Sequence, residues 1–293
     1  MNFPLIKNTT TGGKILIFLL LLIFCLVFSS ILGVFISTII GNGLSDLRGL
    51  QITQMCSQII GFMLPPLLYA VLVKEKPLNY LGFKELPLWS LLGVVAMFTI
   101  IPFNGMVAEW NEGIRLPESM KGIEDMMRNI QDMATSVSMK MMNEGSLAIN
   151  ILIFGAFAAI GEELLFRSVI QKALIKIFRS PHIGIIATAI VFSAFHGEFY
   201  GFFPRIVLGL LLGYMFYLSG SIWPSIFMHF ANNSTIVLLF FMNNRGVIDI
   251  DVEKFGTTDN VFLIILSLIA TVAIFMICNR FRKKTTQHYT FKT

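Results

Sequence analysis

The chain has 293 residues, of which 55% are hydrophobic and only 13% charged, and its mean hydropathy is +0.76. Soluble domains carry roughly 25% charged residues, so a chain with half that fraction has too little polar surface to stay dissolved. The composition excludes a soluble enzyme, a disordered chain and, despite the net charge of +5, a nucleic-acid reader. It predicts a multi-pass protein of the cell membrane.

A membrane-crossing helix needs about 20 mostly apolar residues. Eight segments are candidates, in chain order 15–40, 53–73, 88–108, 147–178, 182–195, 203–218, 222–242 and 261–279, with the fifth and sixth short by this standard. None alternates apolar and polar residues as the strands of a membrane barrel do. The fold class is therefore all-α, a polytopic transmembrane helical bundle of about eight spans. The first segment is too long for a signal-peptide core and has no A-x-A site after it, so it is expected to stay as an anchor. Pro65, Pro66 and Pro102 are expected to kink the second and third spans, because an interior proline removes a donor and clashes one turn back. Gly209-Leu-Leu-Leu-Gly213 in the sixth predicts a closely approaching neighbour. Cys25, Cys56 and Cys278 lie scattered in three spans and form no disulfide framework.

Charge orients the bundle. With eight spans both termini share a side, and placing them in the cytoplasm puts 13 of the 22 Lys/Arg there, against eight outside and Arg167 within a span. This Lys/Arg bias predicts an N-in, C-in topology. Residues 1–146 then supply three spans and an outer segment, 147–242 a core of four spans, and 243–293 the last span and a basic tail. In the outer segment, 109–146, Ile123, Met127, Ile130, Ala134, Val137 and Met141 recur at helical intervals on one face. That face fits a helix lying on the membrane surface, or a lid whose adaptable methionines touch a substrate.

An ionisable residue in mid-span costs roughly 2.5–3.5 kcal/mol on insertion scales and marks a functional site by default. Such residues concentrate in three spans: Glu162-Glu163-Leu-Leu-Phe-Arg167 in the fourth, Phe192-Ser-Ala-Phe-His196 in the fifth, and His229-Phe-Ala-Asn232-Asn233 in the seventh. Glu163 and Arg167 are four apart and can pair on one helix face, whereas Glu162, about 100° round the axis, has no good partner in its own helix. Phe192 and His196, and His229 and Asn233, are likewise four apart. Each motif alone fits a packing histidine or a helix-holding ion pair. Together they bring a carboxylate, two imidazoles and a carboxamide to one interior, a set suited to activating water.

At these motifs the chain resembles the CPBP family of intramembrane proteases. That family includes the CAAX prenyl endopeptidases and the bacterial Abi proteins of bacteriocin processing and self-immunity. Its E-E-x-x-x-R, F-x-x-x-H and H-x-x-x-N/D signatures are complete and in order here. The resemblance implies an intramembrane endopeptidase in which Glu162 and His196 activate water, while His229 and Asn233 stabilise the oxyanion or complete a metal site. Glu163, Arg167 and Phe192 would support that site. Two forms follow from it. In one, Glu162, His196 and His229 bind Zn2+ and a water; in the other, Glu162 is a metal-free general base. The implied substrate is a membrane-embedded or lipid-anchored protein or peptide met in the lipid bilayer. A non-catalytic scaffold or immunity protein is the rival reading, and a proton-coupled transporter a weaker one.

Overall fold

The computed structural model describes residues 9–40, 43–45, 47–144 and 147–285; within them, no side chain is described at 45, 130, 131, 134, 135, 137–144, 253 or 283–285. The described residues are helical wherever they are regular and contain no strand. Among the described residues, six helices are long and apolar enough to cross a membrane. They are α1 (Thr11–Ile40), α2 (Leu47–Val73), α5 (Leu147–Phe178), α7 (Phe199–Ser219), α8 (Trp223–Asn244) and α9 (Val261–Arg282). A seventh segment, α3, is the pair Leu88–Thr99 and Ile101–Glu112, bent by 46°. Helix α6 (Pro181–Ala194) has 14 residues, and α4 (Lys121–Glu144) is the predicted amphipathic helix. All eight expected segments are thus helical, although only six are full-length spans.

Small residues set the first packing contact. Cys25, Ser29, Gly33 and Ser37 recur every fourth position along α1 and are buried. A Cβ at Gly33 would stand 3.0 Å from the Thr53 Cα, so this stripe brings α1 and α2 into near-backbone contact. The serine hydroxyls donate to carbonyls of their own helix, Ser29 to Leu26 and Ser37 to Val34, which leaves no polar atom stranded at the seam. Large apolar side chains such as Leu20, Phe24 and Phe35 point outward, as a lipid-facing surface requires.

The prolines act in two ways. In α2 the turns at Ser57–Met63 widen to π-helical spacing, with the Leu64 N–H reaching the Ile59 carbonyl, and the helix then carries Pro65 and Pro66 without breaking. In α3 the chain bends just before Pro102. Helix α9 braces that bend: Phe103 N–H donates to Ser267 Oγ at 3.1 Å, and the Thr99 and Thr271 hydroxyls bond at 3.0 Å.

The segment ends sort into two sets. At one end Lys176 donates to Thr11, Lys172 to the Tyr80 carbonyl, Ile222 N–H to the Gly82 carbonyl at 2.8 Å, and Arg282 lies over the Tyr217 ring. At the other end Phe203 N–H donates to Asn111 Oδ1, and Arg128 of α4 lies 3.9 Å over the Tyr200 ring. Successive segments therefore run alternately up and down. The start of α1 and the end of α9 share an end.

Between these ends, α5 to α8 form the centre. A Cβ at Gly209 would stand 3.0 Å from the Cα of Ala189, and one at Gly213 would be 2.9 Å from Ile185 Cγ2. The neighbour anticipated from G-x-x-x-G is thus α6. Its 14 residues rise about 21 Å, less than the roughly 30 Å of a hydrocarbon core. Helix α4 packs across the first stretch of α2, Leu47–Cys56, and against α8. On its apolar face Ile123 is exposed and Met127 half-buried, while the side chains of Ile130, Ala134, Val137 and Met141 lie outside the described set.

Candidate active site

Glu162 and Glu163 lie half-way along α5, on the regular stretch Ala158–Leu165 between two widened ones, Ile151–Phe157 and Phe166–Gln171. Widened turns of this kind shift the register of the faces beyond them and recur at functional sites. The expected ion pair is present: Arg167 Nε lies 2.9 Å from Glu163 Oε2, and both side chains are fully buried. Glu163 also does what helix spacing alone did not predict. Its other oxygen, Oε1, lies 3.0 Å from Nδ1 of His229 on α8. With Glu163 paired to Arg167, its carboxylate oxygen is the acceptor at this contact and His229 Nδ1–H the donor.

The far side of the same ring, Nε2, faces Glu162 Oε2 at 3.7 Å. That is too long for a direct hydrogen bond. Glu162 Oε2 is also shut off from the surface and has no hydrogen-bond partner among the described residues. The four groups form one line, Arg167–Glu163–His229–Glu162, ending on an unsatisfied carboxylate oxygen.

His196 comes from the turn after α6. Its Nδ1 is 2.9 Å from the Phe192 carbonyl, one of the acceptors a helix leaves unpaired at its C-terminal end. Donation from Nδ1 leaves the Nε2 lone pair free to accept. The ring is exposed, unlike Glu162 and His229, and interacts electrostatically with Glu162 and Arg205. Phe192 organises both imidazoles. Its ring meets His196 edge-on at 5.1 Å and His229 at 5.9 Å, and the Arg167 guanidinium lies 5.0 Å over it.

Asn233 is more committed than its motif implied. Its Nδ2 donates to the Phe154 carbonyl at 3.0 Å, and its Oδ1 accepts from Asn232 at 3.1 Å. It therefore ties α8 to the first widened stretch of α5, with one N–H left over. Glu198, two residues beyond His196, is paired with Arg205. Arg205, Asn104 and Asn232 line a cavity of about 230 Å3 between α3, α7 and α8, otherwise walled by apolar groups such as Leu208 and Ile236.

The structure thus brings Glu162, Glu163, Arg167, Phe192, His196 and His229 together, with Asn233 one turn further along α8. As for Zn2+, no three His, Cys, Asp or Glu side chains among the described residues are grouped to hold a metal ion. No step below passes through a metal. The sequence reading passed over Gln58 of α2, which is 5% exposed and packs on Gly161 beside Glu162. Glutamines at 51, 54 and 58 were the available signal.

No curated protein and no solved structure matches the chain. Residues 144–235 match the family model described as Type II CAAX prenyl endopeptidase Rce1-like. This stretch runs from the end of α4 to just past Asn233 and contains every motif residue named above. That match, with the three motifs that meet inside it, supports membership of the CPBP family of intramembrane proteases.

Proposed function

We propose that the protein is an intramembrane endopeptidase in which Glu162 and His196 activate water against a peptide bond, while His229 and Asn233 hold the oxyanion. The observation that carries this reading is the His229 bridge, Nδ1 on Glu163 and Nε2 facing the unpartnered Oε2 of Glu162.

Charge balance supplies the mechanism. Arg167 and Glu163 neutralise each other in the apolar interior, and a second net charge beside them would be costly. Beyond the proton His229 keeps on Nδ1, Glu162 and His229 are together neutral when they share one more. With that proton on Nε2, His229 is a donor aimed into the site and Glu162 is a base beside it. A water donates its two O–H groups to His196 Nε2 and to Glu162, which leaves its lone pairs free to attack. As its oxygen attacks the carbonyl carbon, its proton passes to Glu162. The tetrahedral oxyanion accepts from His229 Nε2–H and from the remaining N–H of Asn233. Collapse breaks the C–N bond, Glu162 returns the proton to the leaving amine, and a carboxylate and an amine are released.

The substrate class is a membrane-embedded or lipid-anchored protein or peptide, with the cavity beside Asn232 available to its apolar side chains. The protein lies N-in, C-in in the cell membrane. Purified protein in liposomes, given a membrane-peptide library, tests the reading. Glu162→Ala, His196→Ala and His229→Ala are each expected to abolish or cut cleavage by at least about 100-fold, the scale of losing a base or an oxyanion donor. Full activity in a folded Glu162→Ala protein would sink the proposal. Chelation separates the two forms: activity that survives verified metal removal assigns the metal-free one, and activity lost and restored by Zn2+ assigns the other.

A further inference from the structure

Hydrolysis consumes a water molecule for every bond cut, and the interior of a bilayer supplies none. Helix α2 carries a feature that answers this need. Gln51, Gln54 and Gln58 are spaced three and four apart and so share one face of the helix. Three amides on one face of a membrane span are expensive unless something polar meets them.

The other faces of α2 are accounted for. Thr53 and Cys56 turn to α1, where a Cβ at Gly33 would lie 3.0 and 3.4 Å from them, and Ile59 is 40% exposed on the lipid side. The glutamine face turns to α5. A Cβ at Gly161 would lie 3.3 Å from Gln58 Oε1, and the residue after Gly161 is Glu162. Burial deepens along the face, from half-buried Gln51 and Gln54 to Gln58 at 5%.

Two atoms on this face are shut off from the surface and have no hydrogen-bond partner among the described residues: Gln51 Nε2, a donor, and Gln58 Oε1, an acceptor. Glu162 Oε2 is a third such atom at the inner end. Water both donates and accepts, and is the ligand that satisfies all three at once. Seven residues of helix separate Gln51 from Gln58, a rise of about 10 Å, which a short file of waters spans. Helix α4 packs over the Leu47–Cys56 stretch and onto α8, at the outer mouth of this face.

We propose that the glutamine face of α2 is the route by which water reaches Glu162 from the end of the bundle where α2 begins. The proposal rests on the hydrolytic reading above and extends it to a helix outside the family-matched core.

The test has one arm that needs no catalysis. In a chain whose three cysteines are changed to alanine, single cysteines at Gln51→Cys, Gln54→Cys and Gln58→Cys are treated in sealed vesicles with a small membrane-impermeant thiosulfonate. All three are expected to react, progressively more slowly inward, while lipid-facing Ile59→Cys does not. Reactivity at Gln54→Cys and Gln58→Cys as low as at Ile59→Cys would overturn the route. In the second arm, Gln54→Leu and Gln58→Leu are expected to lower kcat at least tenfold with KM unchanged, and Gln54→Ser to keep most of it. A raised KM with unchanged kcat would instead assign the face to substrate and overturn the route. Should Gln58→Leu fail to fold, Gln54→Leu and the labelling decide. If the wild type cleaves nothing while the cysteines label, the hydrolytic reading fails and the hydrated face stands. If the wild type cleaves, the cysteines stay unreactive and the leucine variants match its kcat, only the route fails.

Discussion

Glu163 carries two obligations, and its neighbour Glu162 carries none that the protein itself fulfils. One oxygen of Glu163 neutralises Arg167 and the other orients His229. The terminal nitrogens of Arg167 have no hydrogen-bond partner among the described residues, and the guanidinium lies 5.0 Å over the Phe192 ring. Removing one partner of a buried pair leaves an uncompensated charge and costs about 3–5 kcal/mol. Glu163→Gln and Arg167→Met are therefore each expected to lower the unfolding temperature in detergent sharply, and the double variant to recover most of the loss. Glu162→Gln, which strands no charge, is expected to melt close to wild type while cleaving nothing. A Glu163→Gln protein as stable as wild type would remove the scaffold role. Half of this line was legible in the sequence, because residues four apart on a helix must share a face. The His229–Glu163 contact joins positions 66 apart and depends on how α8 packs against α5. Helical periodicity cannot supply that.

The elements explain why the site holds its shape. Helix α6 is too short to cross a bilayer unaided, and the glycines of α7 let it lie almost backbone to backbone on a longer helix. That contact also places Phe192, whose ring would lie 3.4 Å from a Cβ added at Gly209. Gly209→Val must push α6 away at Ala189 and displace Phe192, and with it both imidazoles. The expected outcome is a protein that still inserts but loses most cleavage and several degrees of unfolding temperature. Gly220→Ala provides the control, since its Cβ meets nothing within 4 Å, although its positive φ makes it mildly strained. Equal activity in Gly209→Val and Gly220→Ala would show that the close packing does not position the site. The glycine pair was readable as a close approach but its partner was not, because a small-residue motif names no neighbour. The widened turns of α2 and α5 were not readable either. Proline announced a disturbance in α2, and tertiary contacts turned it into a wider turn rather than a break.

At the scale of the whole molecule, the few charges are sorted by the bundle rather than by local sequence. The end that gathers Thr11, Tyr80, Lys172, Lys176, Gly82 and Arg282 is also the end that holds most of the Lys and Arg. The opposite end gathers Asn111, Arg128, Glu198 and Phe203, together with most of the acids. The alternation assumed in counting eight spans is thus matched by contacts between segments far apart in the chain, even though α3 is bent and α6 is short. That agreement gives the sidedness a test independent of catalysis. A fluorescent protein fused after Thr293, which matures only in the cytoplasm, is expected to fluoresce, and a periplasmic phosphatase at the same position to stay inactive. Because α1 and α9 share an end, a single cysteine at Lys14→Cys should label from the same side as one at Arg282→Cys, and one at Arg245→Cys from the other. Labelling of Lys14→Cys and Arg245→Cys from one side would break the alternation. It would also move the outer mouth of the glutamine face to the wrong surface, since α2 begins at the end that Arg245 marks.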